Sequence, residues 1–414
     1  MITHGDMPFE EDELDRYSVR VGDVVICEGG EPGRCAVWTR PTPFFIQKAL
    51  HRVRCGPSVA PTFVSYWFQH MALSGALAKR FTGTTIQHLP GVALDSLVIR
   101  YPSLPEQHRI VAAIETHFSR MDAAVAALTR AKANVKRARA SVLKAAVEGR
   151  LVPTEAALAR AEGRAYEPAS VLLERILAER KAAWAASGAR GKYQEPVKPD
   201  TAGLPEVPEG WCWTSLGNAF AVEVGATPSR QRPDYWAGGV PWVSSGEVQF
   251  CRIKKTRETI SREGLSNTST KIHPKGTVLL GMIGQGRTRG QVAILDIEAC
   301  NNQNCAAIRV SESGCVPEYV YGWLELQYDQ TRRLGGGNNQ QALNKARVEA
   351  IPLPLPPLAE QHRIVAEVDR RLSVLDALDR SIDLNLARCS RLRQAVLKRA
   401  FEGRLVPAES PDAR

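Results

Sequence analysis

Long apolar runs are missing from this chain. No stretch approaches the ~18–20 apolar residues that a membrane-crossing helix needs. The first residues, MITHGDMPFEEDELDR, are acidic and have no apolar core, so they do not read as a secretory leader. The nine cysteines include no CxxC pair, and no histidine stands at ligand spacing beside Cys300 and Cys305. Neither a disulfide framework nor a zinc site is expected; reduced thiols in a cytoplasmic protein fit this pattern. Signatures of catalysis are equally scarce. There is no GxxxxGK[ST] phosphate loop, and the Gly-rich GQGRTRG at 284–290 is followed by neither Lys-Ser/Thr nor a helix signal. The Asn/Asp-Pro-Pro-aromatic signature of amino-methyltransferases is absent. Asp234 and Glu247 suggest a nuclease carboxylate pair, but no ExK follows. His108 and His362 each stand alone between Gln and Arg at a helix start, as capping or interface residues do. Catalytic and metal-ligating residues are therefore expected to be none, and a binding protein is favoured over an enzyme such as a stand-alone nuclease.

What the sequence does contain is a duplication. EQHRIVA occurs at 106–112 and again at 360–366, and EGRLVP at 148–153 and 402–407, each pair 254 positions apart. Without a gap, 106–153 and 360–407 share 23 of 48 residues. That period is far too long for a solenoid, so two domain-sized copies are implied. The likeness continues upstream. YSVRVGDVVICEGGEPGRCAVW (17–38) and KIHPKGTVLLGMIGQGRTRGQVAI (271–294) both read as two strands around a Gly-rich loop. PTFVSYWF (61–68) parallels PEYVYGWL (317–324), a short helix in each, and Gln47 pairs with Gln303. Between the copies, 169–186 reads as a charged amphipathic helix, followed by a Pro/Gly linker.

The repeated segments carry heptads. In the first, apolar positions fall at Ile114, Phe118, Met121, Val125, Leu128, Val135 and Val142, interrupted by Lys132 and Arg139. The second gives Val368, Leu372, Leu375, Ile382, Leu386 and Val396, interrupted by Asp379 and Arg393. Neither contains Gly or Pro before Gly149 and Gly403, which read as stop signals. Each copy is thus a helix of roughly 40 residues, about 60 Å long. A helix of that length must bury its stripe, and the other copy is the simplest partner; packing on its own domain is the alternative.

Net charge is +10 and unevenly spread: +5 over 106–153, +3 over 360–407 and +7 over 251–289, leaving −5 elsewhere. Clustered positive charge suits a polyanion such as nucleic acid, though a basic helix face is often merely solvated. Base edges are read by Arg, Lys, Asn and Gln. Candidate DNA contacts in the second copy are Lys254, Lys255, Arg257, Gln285, Arg287 and Arg289, with Ser244 and Ser245 for phosphates or bases. In the first copy they are Arg34, Lys48, Lys79 and Arg80.

The doubled PLPPLAEQxxIV-like start, the heptad helix and EGRLVP, with ASVLLERILAER and GLPEVPEGW between the copies, resemble the specificity subunit of type I restriction–modification enzymes. The resemblance implies an α+β fold: two target-recognition domains, mixed α/β with small β-sheets, separated by two long antiparallel helices forming a coiled coil. The corresponding boundaries are 1–105 for the first recognition domain and 106–153 for the first long helix. The connector and linker take 154–208, the second recognition domain 209–357, the second helix 358–407 and the tail 408–414. The implied partners are double-stranded DNA, two methyltransferase subunits and motor-nuclease subunits, with no membrane. No cofactor is expected on this chain; S-adenosylmethionine, ATP and Mg²⁺ would sit on partner subunits. The first recognition domain departs from the pattern. At constant offset the counterpart of about 204–254 is missing, and residues 6–15 are acidic where the second copy is basic. The competing expectation is therefore a decayed coiled-coil scaffold that holds methyltransferase subunits without full sequence specificity.

Overall fold

In a computed structural model, residues 14–42, 44–46, 49–188, 192–196, 198–284, 287–333 and 342–407 are described. The chain divides into two compact units, one formed by Met1–Ala133 with Asp379–Arg414 and the other by Asn134–Leu378. The division runs through two 44-residue helices, Leu104–Val147 and Leu358–Phe401. Each unit therefore holds part of both. Among the described residues no helix is long and apolar enough to cross a membrane.

The first unit contains a three-stranded antiparallel sheet of β1 (Val24–Cys27), β2 (Cys35–Val37) and β3 (Leu50–Val53), in the order β2-β1-β3. Residues alternate across β1, as a half-covered strand requires: Val24 and Ile26 are fully buried, and their neighbours are not. They pack with Val64 and Phe68 of helix α1 (Pro61–Leu73). Proline at the first helical position starts α1 because that position needs no amide donor.

The second unit has a five-stranded sheet. Its strands are β4 (Val222–Val224), β5 (Cys251–Ile253), β6 (Val278–Gly281), β7 (Val292–Leu295) and β8 (Cys305–Ile308), in the order β4-β8-β6-β7-β5. All neighbours are antiparallel except β5 and β7. The runs VLLG, VAIL and CAAI are buried on both faces, which is why they are apolar without alternation. Val278, Leu280, Val292, Ile294, Ala306 and Ile308 face one core with helix α2 (Pro317–Leu326). Leu279, Ala293, Leu295 and Ala307 face a second core with Val243, Val248 and Ile253. The central strands β6, β7 and β8 match β1, β2 and β3 in order. Among the described residues the first unit has no counterpart of the flanking strands β4 and β5.

Within each unit the two long helices run antiparallel. In the first, Ile110, Ile114 and Phe118 share a core with Leu397 and Ala400, and moving ten residues from Asp122 to Lys132 moves the ion-pair partner back ten, from Arg393 to Asp383. In the second, Arg139 pairs with Asp376, while Val142, Ala146 and Val147 meet Ile364, Val368 and Leu372. All the seam residues named above are buried or half-buried. The polar interruptions are occupied by ion pairs: Lys132 with Asp379 and Asp383, Arg139 with Asp376, Arg393 with Asp122. The helices stop at Val147 and Phe401, short of the expected 153 and 407. The reason is local. Gly149 and Gly403 adopt φ of 65° and 70°, and the following Arg amides bond back to Ala145 and Arg399 at 2.9 and 2.8 Å. EGR is thus a helix-closing turn of the left-handed glycine type, and LVP lies beyond it.

Candidate nucleic-acid interface

The strand register of the second unit decides which loops meet. β6 runs into the loop that β7 leaves, so the described residues of that loop, 282–284 and 287–291, lie at one end of the sheet. Asn302–Asn304 reaches the same end, because Asn304 leads into Cys305 opposite Gly281 and accepts the Met282 amide at 2.8 Å. The loop after β4 joins them: the Ala226 amide bonds Asn301 at 3.1 Å and the Thr227 hydroxyl donates to Gln303 Oε1 at 2.6 Å. Leu343 also arrives here, its amide on the Met282 carbonyl at 3.0 Å. Four loops rich in Asn, Gln, Thr and Arg thus converge on one end of a rigid, buried sheet. A short helix, α3 (Tyr328–Arg333), braces them: the Tyr328 hydroxyl donates to the Arg287 carbonyl at 2.8 Å and Arg332 to the Arg289 carbonyl at 3.2 Å.

The candidate contacts do not all come together. Arg287 is exposed at this end. Ser244 and Ser245 lie close to it, since the Asn302 amide bonds Val243 at 3.0 Å. The Ser244 hydroxyl is occupied, donating to Glu247 Oε2 at 2.9 Å in a capping box that starts a short turn. Arg289 is only 7% exposed, so it belongs to the packing of the loop and corrects the expectation of a base-reading side chain. Lys254 and Lys255 are exposed but follow β5, which runs parallel to β7, and so lie at the opposite end of the sheet. Their neighbour is Asp296, whose carboxyl is held below its ordinary range by Arg252 first, with Lys275 and Lys254 adding to it. Arg257 is exposed, with its amide on Glu247 Oε1 at 2.9 Å. Gln285 lies outside the described residues.

In the first unit, Arg34 closes the loop between β1 and β2 and pairs with Glu31 at 2.9 Å. Lys79 and Arg80 end a short turn, Leu77–Arg80, whose Leu77 packs beneath that loop near Gly33. Both side chains are exposed, and Arg80 donates to Ser96 at 3.3 Å. Lys48 lies outside the described residues. This loop carries Glu28 and Glu31 where the second unit has Met282 and Gln285, so the two loop ends differ in charge.

The sequence reading named Gln303 only as the counterpart of Gln47 and passed over Thr227 and Asn304. The run NNQN at 301–304 was a usable signal, since a short strand ending in three amide side chains presents donors and acceptors. Among the described residues no cluster of His, Cys, Asp and Glu could hold a metal ion.

Fold and loops define a class: a duplicated α+β protein whose sheets carry polar, Arg-bearing loop ends and whose repeats each finish in a long paired helix. Residues 208–390 match the family model described as type I restriction modification DNA specificity domain. The EcoBI specificity subunit of Escherichia coli is 25% identical over 363 residues, covering 83% of this chain and 67% of that protein. The MjaIX specificity subunit of Methanocaldococcus jannaschii is 26% identical over 166 residues, 39% of this chain and 38% of that protein. The chain thus spans between about a third and two thirds of these two relatives. Among solved structures, the HsdS subunit from Thermoanaerobacter tengcongensis superposes with a TM-score of 0.55 at 19% identity over 93% of this chain and 82% of that one. A structure described as bearing on complex assembly and conformational transition of the type I R-M system gives 0.64 at 20% identity over 94% and 83%. By these comparisons the chain is similar to type I restriction enzyme specificity subunits.

Proposed function

We propose that this chain is the non-catalytic DNA-recognition subunit of a type I restriction–modification complex. The observation that carries the reading is the convergence of four amide- and Arg-bearing loops at one end of the five-stranded sheet, within the segment that matches the DNA specificity domain. Such a loop end offers donors and acceptors to base edges from the end of a buried sheet. Each unit reads one half of a split duplex site. The paired long helices set the unread spacing and give methyltransferase subunits, two in number, their docking surface; motor-nuclease subunits join through the complex. S-adenosylmethionine, ATP and Mg²⁺ act on those partners, and cleavage and methylation belong to them.

The test is methylation mapping in the source cell with and without this gene. A bipartite methylated motif that vanishes on deletion supports the reading. Unchanged methylation, together with purified complex that binds duplexes with a steep salt dependence but no sequence preference, rejects it, because phosphate contacts alone carry no sequence information.

A further inference from the structure

The second unit has a partly open cavity of about 280 Å³ between α2, the start of β5 and the parts of the two long helices it contains. Its walls are apolar, with Leu143, Val147, Gly322, Val368 and Leu372 among them. Protein interiors rarely leave such space unfilled, since it forfeits contacts on every wall.

The first unit supplies an internal control. Helices α1 and α2 align at Pro61 and Pro317, both at the helix start, and the long helices align at an offset of 254. Gly322 then stands where the first unit has Tyr66, Leu372 where it has Phe118, and Val147 where it has Phe401. There the aromatic rings fill the space: Tyr66 lies edge-on to Phe118 at 5.7 Å, and Phe401 to Phe63 at 5.2 Å. In the second unit these three residues are smaller; Tyr321 stands where the first unit has Ser65, yet the space is still open. A Cβ built on Gly322 meets only Leu143 Cδ2, at 3.8 Å. An apolar cavity of about 150 Å³ already accepts a benzene ring, so this one has room for a substituted ring.

Acidic groups also line the cavity. Glu318 is engaged by Arg252 at 2.8 Å. Glu325 is half-buried and Asp369 is more exposed, and neither has a hydrogen-bond or ion-pair partner among the described residues. Burial pushes both carboxyls above their ordinary range, opposed by the Arg139 charge at Glu325; at Asp369 the Glu318 charge adds to the effect and Arg252 opposes it. A cation beside them would offset that desolvation.

We propose that this cavity is a binding site for a small aromatic amine, its ring in the space that Tyr66 and Phe118 fill in the first unit and its ammonium against Glu325. The proposal does not depend on DNA recognition.

The test titrates the full-length chain with 2-phenylethylamine and with neutral 2-phenylethanol, by calorimetry and ligand-observed NMR. Saturable binding of the amine is expected, tighter than that of the alcohol. Glu325→Gln weakens the amine by roughly tenfold or more, as loss of a charged hydrogen-bond partner does, and leaves the alcohol unchanged. Gly322→Tyr fills the cavity and abolishes binding of both while the circular dichroism stays native; Val147→Phe serves if that variant does not fold. No saturation by either probe overturns the proposal, as does undiminished binding in the filled variant. Equal affinity for amine and alcohol overturns the cationic assignment.

Discussion

Of the seven residues repeated in EQHRIVA, the glutamine is the polar one hidden from solvent in both copies. Gln107 and Gln361 are both fully buried. Gln107 Oε1 accepts the amide of Ala60, the residue before α1, at 2.8 Å, and Gln361 Oε1 accepts the amide of Val316, the residue before α2, at 3.0 Å. Each Nε2 donates back to a proline carbonyl five residues earlier, Pro102 at 2.9 Å and Pro356 at 3.0 Å. One side chain therefore locks the start of a long helix to the start of the short helix packed on it. Gln361→Ala leaves a buried amide unpaired and lowers unfolding free energy by about 1–3 kcal/mol in denaturant titrations, whereas His362→Ala, at an exposed position, changes it by less than about 0.5 kcal/mol. A second residue gives a pH signature. His273 is 1% exposed, and burial first of all brings its pKa from 6.5 down to about 4, with Arg309 and Lys271 helping and Glu223 and Asn301 opposing. The unfolded chain takes up a proton near pH 6.5 and the folded chain only near 4. Stability is thus unaffected above that window and falls across it as the pH drops, by about 3 kcal/mol from this residue. Urea midpoints measured from pH 7 to 4 should decline less steeply in His273→Phe; an identical decline would remove His273 as the cause.

At the scale of elements, the long helices were the most legible feature, because a heptad is a local period that needs no knowledge of the partner. Ile114 is fully buried against Leu397 and Ala400, while Leu384, off the stripe, is 68% exposed. Ile114→Ala should cost about 2–5 kcal/mol and Leu384→Ala close to nothing, read from paired thermal or denaturant melts. Glycines 149 and 403 were correctly placed as stop signals, yet the helices end two residues before each, since the left-handed turn consumes Glu148 and Glu402 as its approach. The candidate DNA contacts were far less legible. Lys254 and Arg287 look alike in sequence, but one follows β5 and the other precedes β7, and the parallel pairing of those strands sends them to opposite ends of the sheet. That pairing joins residues some forty positions apart, and no local pattern encodes it. Arg289, two residues from exposed Arg287, turns inward for the same reason: it sits where α3 covers the loop.

At the scale of the whole molecule, the proposed reading separates affinity from specificity and both from spacing. In the assembled complex, Arg287→Ala should weaken binding and change the salt slope by about one if the arginine meets a phosphate. Gln303→Ala should instead relax preference at one base position, at about 1–3 kcal/mol of discrimination, and only in the half-site read by the second unit. Lys254→Ala with Lys255→Ala, at the far end of the sheet, should change neither; fluorescence anisotropy on a panel of single-base variants distinguishes the three outcomes. Spacing is a property of the helix pair. One heptad inserted after Leu128 and one after Ile382 preserves the apolar stripe on both helices, because seven residues return the seam to the same face. It lengthens each helix by about 10 Å, close to three base pairs of duplex. The two half-sites recovered by methylation mapping should then keep their sequences and move apart by about three base pairs. An unchanged gap would mean that the helices hold the chain together without measuring the DNA.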